Sequence, residues 1–355
     1  MTANPVLVTG ATGFVGSHLV ERLMARGIPV RCLVRKTSSL RYVRSEAVEL
    51  FYGDLATGEG LAAAVLGVET VFHVAGVTKA HTEAAYYDGN LRGTESLLRA
   101  CERSDSPPRR FIHVSSLAAV GPSPNGAPLD EDAARFPLTW YGCSKLAAEN
   151  AVRASALAST AVILRPPVVY GPRDTDVFEV FRAVAKGLMV LIGREESWFS
   201  YIHVEDLAEA LVAAAGLNRT GDTPGPPPEL PDSQRNAGVS PGFSGTPTYF
   251  VANPEPVSWT QFAETAASVM GRRVRFLHAP AGAAYAAGWL AEMAAKLRGK
   301  PGILSRQKVI EATCRFWTCN PSRARSELGW SAGRTLREGV ANSLAWYKDA
   351  GWLTF

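Results

Sequence analysis

The stretch Thr9–Leu19, which reads TGATGFVGSHL, constrains the fold of this 355-residue chain more than any other. A short apolar strand pattern precedes it, and a helical pattern follows at once. Gly10 can make the tight turn, Gly13 lets the backbone approach a pyrophosphate, and Gly16 lets the helix pack closely on the strand. The free N–H groups and the positive end of the helix then face the phosphates. In this context the glycines predict a βαβ unit that binds a dinucleotide.

Short runs of Val, Leu and Ile alternate with amphipathic helical patterns over the first half of the chain. The predicted strands are Val6–Val8, Val30–Val34, Val48–Phe51, Val71–Val74, Phe111–Val114 and Val162–Leu164. The predicted helices between them include Gly16–Ala25, Gly93–Arg103 and Tyr141–Ala154. Several strands are apolar on both faces, which is typical of a buried parallel sheet. Right-handed crossovers between such strands give an α/β fold, a Rossmann-type doubly wound parallel sheet.

This alternation of strand and helix patterns ends after Tyr170. Helical patterns then predominate, at Val177–Lys186, Val204–Ala215, Ser258–Met270 and Pro280–Leu297, the last stopped by Gly299 and Pro301. We therefore expect a Rossmann domain over residues 1–170, to which 200–216 and 248–252 return, and a smaller, mostly helical substrate-binding lobe over 171–355. Within that lobe, residues 219–247 are dense in Pro, Gly, Ser and Asn, a composition that predicts a flexible surface insertion.

Charge and composition exclude several other classes of protein. The net charge is +4, and the tight basic cluster Arg272–Arg275 is interrupted by Val274 as on a solvated strand face, so no nucleic-acid partner is expected. The most apolar long window, Ala279–Ala295, is mostly Ala and Gly and carries Glu292, so no integral membrane segment is expected. The five cysteines form no CxxC pair and indicate reduced thiols in a cytoplasmic protein without a metal site.

The residues that follow the second and third strands bear on the choice of dinucleotide. An acidic residue at the end of the second strand would bind the ribose 2′-hydroxyl of NAD, but here Arg35 and Lys36 follow Val34. Two cations at that position favour a 2′-phosphate, so we predict NADP, with NAD remaining an alternative if both are merely solvated loop residues. Asp54, after the third strand, would accept a hydrogen bond from the adenine amino group.

Tyr141 and Lys145 are four residues apart at a predicted helix start, so both project from one face. A tyrosine hydroxyl ionises near pH 10, roughly, and a neighbouring ammonium lowers that pKa by stabilising the phenolate. Tyr141 can then exchange a proton with a substrate alcohol or carbonyl while a hydride moves, and Lys145 can also bind the nicotinamide ribose. Ser115 and Ser116 end the fifth strand, at the edge where α/β sheets bind ligands.

In this order the motifs resemble the extended short-chain dehydrogenase/reductase family, the NAD(P)-dependent epimerase/dehydratase superfamily, over nearly the whole chain. The resemblance rests on TGATGFVGSHL, Asp54, Asn90 in NLRGT, YGCSK, RPPVVYGP at 165–172, YIHVED at 201–206 and ELGW at 327–330. It implies Ser116, Tyr141 and Lys145 as the catalytic set, and a homodimer. The cofactor-binding residues that the motifs and the resemblance together predict are Gly10, Thr12, Gly13, Phe14, Val15, Gly16, Arg35, Lys36, Asp54, Leu55, Val74, Ala75, Gly76, Val114, Tyr141, Lys145, Pro166 and Val168.

The branch of the family is a separate question. Sugar-nucleotide members carry Asn three residues after the arginine that corresponds to Arg165, and this chain has Val168 there, although Arg173 and Arg194 could still grip a phosphate. The Ala-rich helix at 280–297 places Tyr285, Trp289 and Met293 at helical spacing, as in the lining of an apolar pocket or on any core-facing helix. Together with RPPVVYGPRD and the end Trp346–Leu353, this region is similar to the 3β-hydroxysteroid dehydrogenase and dihydroflavonol reductase group.

The sequence therefore predicts an NADP-dependent oxidoreductase that acts on a hydroxyl or keto group of an apolar, sterol-like molecule. One alternative is a nucleotide-sugar epimerase or dehydratase that retains and recycles its cofactor. The other is a non-catalytic dinucleotide sensor, against which the intact Ser116, Tyr141 and Lys145 set argues. We interpret His73, His113 and His203, in or beside strands, as structural histidines.

Overall fold

A seven-stranded parallel sheet forms the centre of the computed structural model, which describes residues 4–193, 195–217, 245–298 and 306–355, with backbone alone for 294–298. The strands are β1 Val6–Thr9, β2 Val30–Val34, β3 Glu49–Tyr52, β4 Thr70–His73, β5 Arg110–Val114, β6 Ala161–Arg165, β7 Val168–Tyr170, β8 Leu188–Ile192, β9 Trp198–Phe199, β10 Tyr201–His203, β11 Thr248–Phe250, β12 Val257–Ser258, β13 Arg275–Ala279 and β14 Phe316–Trp317. The order in the large sheet is β11-β6-β5-β4-β1-β2-β3.

The predicted Rossmann-type sheet is confirmed, and each of the six predicted strands lies within one residue of its observed bounds. Every residue of β1, β2, β4, β5 and β6 is buried, which explains why apolar residues predominate on both faces of these strands without alternation. The edge strand β3 is partly exposed. The seventh strand, β11, pairs in parallel with β6 at the other edge.

Helices cover both faces of this sheet. The helices are α1 Phe14–Ala25, α2 Leu61–Val65, α3 Glu83–Tyr87, α4 Gly93–Glu102, α5 Trp140–Ala154, α6 Phe178–Ala185, α7 Val204–Ala214, α8 Trp259–Met270, α9 Ala281–Arg298, α10 Arg306–Thr313, α11 Ser322–Leu328 and α12 Leu336–Asp349. One face packs against α1 and α7, and the other against α2, α4 and α5. The predicted helices agree with these bounds to within two residues. Ser258 caps α8 in a capping box with Gln261.

The remaining elements form a second hydrophobic core built on aromatic side chains. Tyr170, Phe181, Phe262 and Tyr347 are buried there, contributed by β7, α6, α8 and α12. Three small sheets frame this core: β7 with β10, β8 with β13, and β9 with β12 and β14. Most of these strands are two to three residues long, too short to produce a recognisable period in the sequence, and for that reason the sequence suggested a mostly helical lobe.

The helix α9 differs from its prediction. Tyr285, Trp289 and Met293 are 45%, 48% and 45% exposed, so the core-facing alternative is wrong, while the pocket-lining alternative stays a prediction. Between Ala281 and Met293 only Gly288 is buried. Within the ranges given above, no helix combines the length and apolarity needed to cross a bilayer. The predicted insertion at 219–247, except its last three residues, lies outside the described residues, as do Gly299 and Pro301.

Candidate active site

The glycines of the first turn are required by close backbone contacts. Gly10 has φ +71°, and a Cβ atom there would lie 2.7 Å from the backbone nitrogen of Ala75, at the end of β4. A Cβ atom on Gly16 would lie 2.1 Å from the carbonyl oxygen of Gly10. Side chains are excluded at both positions, because the start of α1 packs directly on the turn and the turn packs on the neighbouring strand.

The N-terminus of α1 has the properties of a phosphate-binding site. Gly13 is its N-cap and supplies no side-chain cap. The N–H group of Ser17 donates to the Gly13 carbonyl at 3.0 Å, so the N–H groups of Phe14, Val15 and Gly16 precede the first intrahelical bond. A Cβ atom on Gly13 would meet only the Gly10 oxygen, at 3.2 Å, which leaves the approach to these donors open. The turn and the adjacent Thr12 can therefore bind the pyrophosphate of a dinucleotide.

Arg35 and Lys36 are exposed at the end of β2, one strand away from this turn. The Arg35 N–H donates to Ser38 Oγ at 3.2 Å, and among the described residues no carboxylate pairs with either cation. Beyond β3, Asp54 Oδ1 accepts the Ala56 N–H at 2.7 Å, so one carboxylate oxygen already holds the local turn. Leu55 lies beside Gly93 at the start of α4. The cations can thus contact a 2′-phosphate, and one oxygen of Asp54 remains for an adenine amino group.

The segment Val74–Gly76 connects the glycine turn to the predicted catalytic residues. The Ala75 N–H donates to Thr9 Oγ1 at 3.3 Å. A Cβ atom on Gly76 would be 3.1 Å from Asn90 Oδ1 and 3.7 Å from Lys145 Nζ. Asn90 in turn accepts from the Val77 N–H at 2.7 Å and donates to Ser144 Oγ at 2.8 Å. Asn90 therefore ties the end of β4 to α5.

Ser116, Tyr141 and Lys145 come together where β5 ends and α5 begins. Ser116 Oγ accepts the Ala118 N–H at 3.1 Å, and the Ser116 side chain is near enough to Tyr141 to lower the pKa of the tyrosine. The Lys145 ammonium is buried and donates to the Val114 carbonyl at 2.6 Å. Pro166 and Val168 follow β6 on the same edge, and the Pro166 carbonyl accepts the Leu117 N–H at 2.9 Å. The predicted residues thus share one edge of the sheet.

The electrostatics of this set differ from the prediction in one respect. Burial raises the pKa of Tyr141 and is the largest effect on it, while the Ser116 side chain and the Lys308 ammonium act in the opposite direction. The sequence predicted a lowered pKa for Tyr141, but the net shift is upward because burial is the largest effect on it. Burial lowers the pKa of Lys145 itself to about 8, opposed by Glu149. Tyr141 is therefore held as a neutral phenol at neutral pH, next to a lysine that can release its proton more readily than usual.

Glu149 lies beneath the site and was missed by sequence reasoning. It is fully buried, and Ser115 Oγ donates to its Oε1 at 2.6 Å. Arg165 donates to both carboxylate oxygens, at 2.8 and 2.7 Å, and Arg153 Nη1 donates to Oε2 at 2.9 Å. Burial alone would raise the pKa of Glu149, but the two guanidinium groups outweigh it and the pKa falls to about 2. Ser115 therefore supports the sheet edge through Glu149, while Ser116 lies on the side of Tyr141.

Two further sequence interpretations are settled by contacts. His73 lies between Thr9 Oγ1 at 2.8 Å and Thr94 Oγ1 at 2.9 Å, and burial lowers its pKa to about 3, so its structural role is confirmed. Arg173 donates to Ser17 Oγ at 3.0 Å and pairs with Glu21 at 2.6 Å. Both contacts hold the Arg173 side chain on α1. The other arginine considered for phosphate binding, Arg194, lies outside the described residues.

Comparison with known proteins gives concordant matches. The model of the family described as "NAD dependent epimerase/dehydratase family" matches residues 6–226. The chain is 34% identical to the ceramide reductase of Caulobacter vibrioides over 348 residues, which cover 98% of this chain and 96% of that protein. It is 28% identical to a 3 beta-hydroxysteroid dehydrogenase/Delta 5-->4-isomerase of Mycobacterium tuberculosis, covering 96% of this chain and 90% of that protein.

Solved structures agree on the fold. The UDP-glucose 4-epimerase of Thermus thermophilus, in complex with NAD, superposes with a TM-score of 0.72 at 24% identity, covering 98% of this chain and 99% of that one. The crystal structure of gox2253 superposes with a TM-score of 0.75 at 25% identity, covering 99% and 100%. The chain belongs to the NAD dependent epimerase/dehydratase family and is an NAD(P)-dependent enzyme of the extended short-chain dehydrogenase/reductase type.

Proposed function

We propose that this protein is an NADP-dependent oxidoreductase that transfers a hydride between the nicotinamide and a hydroxyl or keto group of an apolar, lipid-like molecule. The observation that carries the proposal is that Ser116, Tyr141 and Lys145 lie together at the edge of the sheet that also presents the glycine turn. A proton donor and an orienting hydroxyl at this edge are what reduction of a carbonyl requires from the protein.

Each residue then has a distinct task. NADPH, when bound, supplies the hydride to the carbonyl carbon. Ser116 orients the carbonyl oxygen, and Tyr141 breaks its O–H bond to give that oxygen a proton, which leaves a phenolate and an alcohol. Because burial raises the pKa of Tyr141, the tyrosine is protonated at neutral pH and ready to act as the acid. Lys145, whose pKa is about 8, can hold the nicotinamide ribose and return the proton.

The nature of the substrate is inferred from relatives and from the site. Besides the ceramide reductase, the chain is 27% identical over 342 residues to a farnesyl-dihydroquinoline-oxide ketoreductase of Stigmatella aurantiaca, and 29% identical over 352 residues to a 2-alkyl-3-oxoalkanoate reductase of Shewanella oneidensis. The last two names each contain an oxo group together with a farnesyl or alkyl group, and ceramide is itself a lipid. Val168 stands where sugar-nucleotide enzymes carry the diphosphate-binding Asn, and Arg173 is engaged with α1, so the sugar-nucleotide alternative has less support.

The proposal extends to the cofactor and the assembly. Arg35 and Lys36, exposed beside the β2 end and unpaired among the described residues, support NADP over NAD. The resemblance to the extended short-chain enzymes supports a homodimer, and the five free cysteines support the cytoplasm as the compartment.

The test is a panel of substrates monitored by NADPH absorbance. Long-chain 3-oxo acids, keto-ceramides, keto-sterols and a UDP-sugar are each supplied with stoichiometric NADPH. We expect NADPH consumption equal to product formed with one of the apolar ketones. Conversion of the UDP-sugar without net consumption would instead establish the epimerase, and binding of NADPH without turnover on any member would favour the sensor.

Tyr141→Phe provides the internal control. Removing the acid should lower kcat by about two to four orders of magnitude, while NADPH still binds because the glycine turn is unchanged. Fluorescence titration with NADPH measures the binding. If Tyr141→Phe kept wild-type turnover, the assigned acid–base role would be wrong.

A further inference from the structure

The loop that connects β2 to β3 begins with the two cations assigned to the cofactor. It contains no acidic residue between 35 and 44, and its four basic side chains are exposed: Arg35, Lys36, Arg41 and Arg44. Leu40 and Val43 pack in the core on the α1 face of the sheet, whereas the half-buried Tyr42 makes a different set of contacts. No helix or strand includes residues 35–44, so the position of the cations depends largely on the side chains that anchor this loop.

Tyr42 packs against side chains from distant parts of the chain. The guanidinium carbon of Arg173 lies 4.8 Å from the centroid of the Tyr42 ring, within the range at which a cation and an aromatic ring attract each other. Trp346 of α12 places its ring 6.3 Å from the Tyr42 ring, at an angle of 63°. The neighbouring Arg41 guanidinium carbon is 5.3 Å from the same centroid. Two of these three partners therefore come from outside the βαβ unit that carries the glycine turn.

Arg173 is itself held firmly next to Tyr42. Its side chain is 13% exposed, and it donates through Nη1 to Ser17 Oγ at 3.0 Å and pairs through Nη2 with Glu21 at 2.6 Å, both on α1. Its φ angle of +74° is the one positive value of a non-glycine residue within the described ranges. Such a backbone costs free energy and persists only where the surrounding contacts hold it. The guanidinium is therefore fixed between α1 and the Tyr42 ring.

The polypeptide on either side of this arginine is anchored by the second hydrophobic core and by α1. Tyr347 Oη of α12 lies 2.9 Å from the carbonyl oxygens of both Gly171 and Asp174. His18 Nε2 of α1 donates to the Pro172 carbonyl at 3.0 Å. The helix α12 thus contacts the cofactor loop directly and also holds the segment that reaches it.

We propose that Tyr42 and Arg173 are positioning residues for the cofactor, and that their contact holds the loop of Arg35 and Lys36 beside α1 before the nucleotide binds. The inference rests on the proposed function, which assigns the two cations to a 2′-phosphate and leaves open what orders them. A loop that becomes ordered on binding loses conformational entropy at that step, and a loop already held in place loses less. Recognition of the 2′-phosphate therefore depends on residues that lie outside the glycine turn.

The first test compares the affinities of Tyr42→Ser and Tyr42→Phe for NADPH and NADH by fluorescence titration. Tyr42→Ser removes the ring that packs on Arg173 and leaves both cations of the loop in place. We expect its NADPH affinity to fall about tenfold, the cost of ordering one or two side chains on binding, while its NADH affinity changes less than about twofold. Tyr42→Phe keeps the ring and should bind both nucleotides as the wild type does. An unchanged NADPH affinity in Tyr42→Ser, or equal losses for the two nucleotides, would overturn the inference.

A second readout needs no nucleotide. Trypsin cleaves after arginine and lysine, so residues 35–44 offer four cleavage sites, and all four are kept in Arg173→Met. We expect cleavage of the folded protein within this loop to be about tenfold faster in Arg173→Met than in the wild type, because the open form of the loop becomes more populated. The control is Arg22→Met, which removes another arginine of α1, paired at 2.9 Å with Glu209 of α7. Unchanged cleavage in Arg173→Met, or the same acceleration in Arg22→Met, would remove the role of the Tyr42 contact.

The wild-type affinities for the two nucleotides test the proposed cofactor separately. Equal affinities for NADPH and NADH would count against the assigned 2′-phosphate contact alone. The rate of loop cleavage would still decide whether Tyr42 and Arg173 hold the loop in place.

Discussion

Glu149 offers the sharpest test of how the site is supported. In Glu149→Gln the guanidinium groups of Arg153 and Arg165 would lose the buried, ionised carboxylate that they share. The carboxyl pKa falls from 4.5 to about 2 in the folded protein, and at about 1.4 kcal/mol per unit this corresponds to ~3 kcal/mol of stability. Removing one partner of a buried pair costs about 3–5 kcal/mol, in agreement. We expect Glu149→Gln to lose about 3 kcal/mol.

The sign of the pH dependence follows from the same shift. A carboxyl group whose pKa is lower in the folded protein than in the unfolded protein stabilises the fold at pH values above its unfolded pKa. This stabilisation is lost as the pH falls through its folded pKa. The difference in unfolding free energy between wild type and Glu149→Gln should therefore be constant above pH 4.5 and shrink toward pH 2. Urea unfolding followed by circular dichroism measures it at each pH.

The matched control is Glu95→Gln, on the exposed face of α4. Its partner Arg99 is 3.8 Å away, and the two side chains are 39% and 52% exposed, so the pair should contribute less than about 0.5 kcal/mol. A loss below about 1 kcal/mol for Glu149→Gln, or a loss that does not depend on pH, would refute the reasoning that Arg153, Arg165 and Ser115 hold an ionised carboxylate.

The remaining predictions concern the nucleotide site. Arg35→Ala should weaken NADPH binding about 10- to 100-fold, the loss of a charge-assisted contact, with little effect on NADH; equal losses in fluorescence titrations would exclude a 2′-phosphate contact. Gly16→Ala should lower stability by about 1–3 kcal/mol and abolish NADPH binding, because its Cβ would lie 2.1 Å from the Gly10 oxygen. Gly282→Ala, with nothing within 4 Å, is the control, and identical melting of the two variants would contradict the steric argument.

Local sequence was sufficient for the nucleotide-binding turn and for much of the large sheet. Gly10 and Gly16 meet atoms of their own turn and of the adjoining strand, so their spacing carries the geometry. The strands β1 and β6 are buried on both faces, and the continuous apolar runs at 6–8 and 161–164 are the direct consequence. Tyr141 and Lys145 share a helix face because they are four residues apart.

Only the tertiary structure determined which charges act on those residues. Lys145 donates to Val114 at the end of β5, and α10, whose hydrogen bonds with α5 and its N-cap span 167 and 172 residues, contacts the two residues before Tyr141. Glu149 likewise meets Arg165 and Ser115 from other elements. Contacts between residues that are far apart in the chain produce no periodic pattern in the sequence. The pKa of a buried group depends on every charge and dipole that folding brings within a few ångströms, and these positions exist only once the chain has folded.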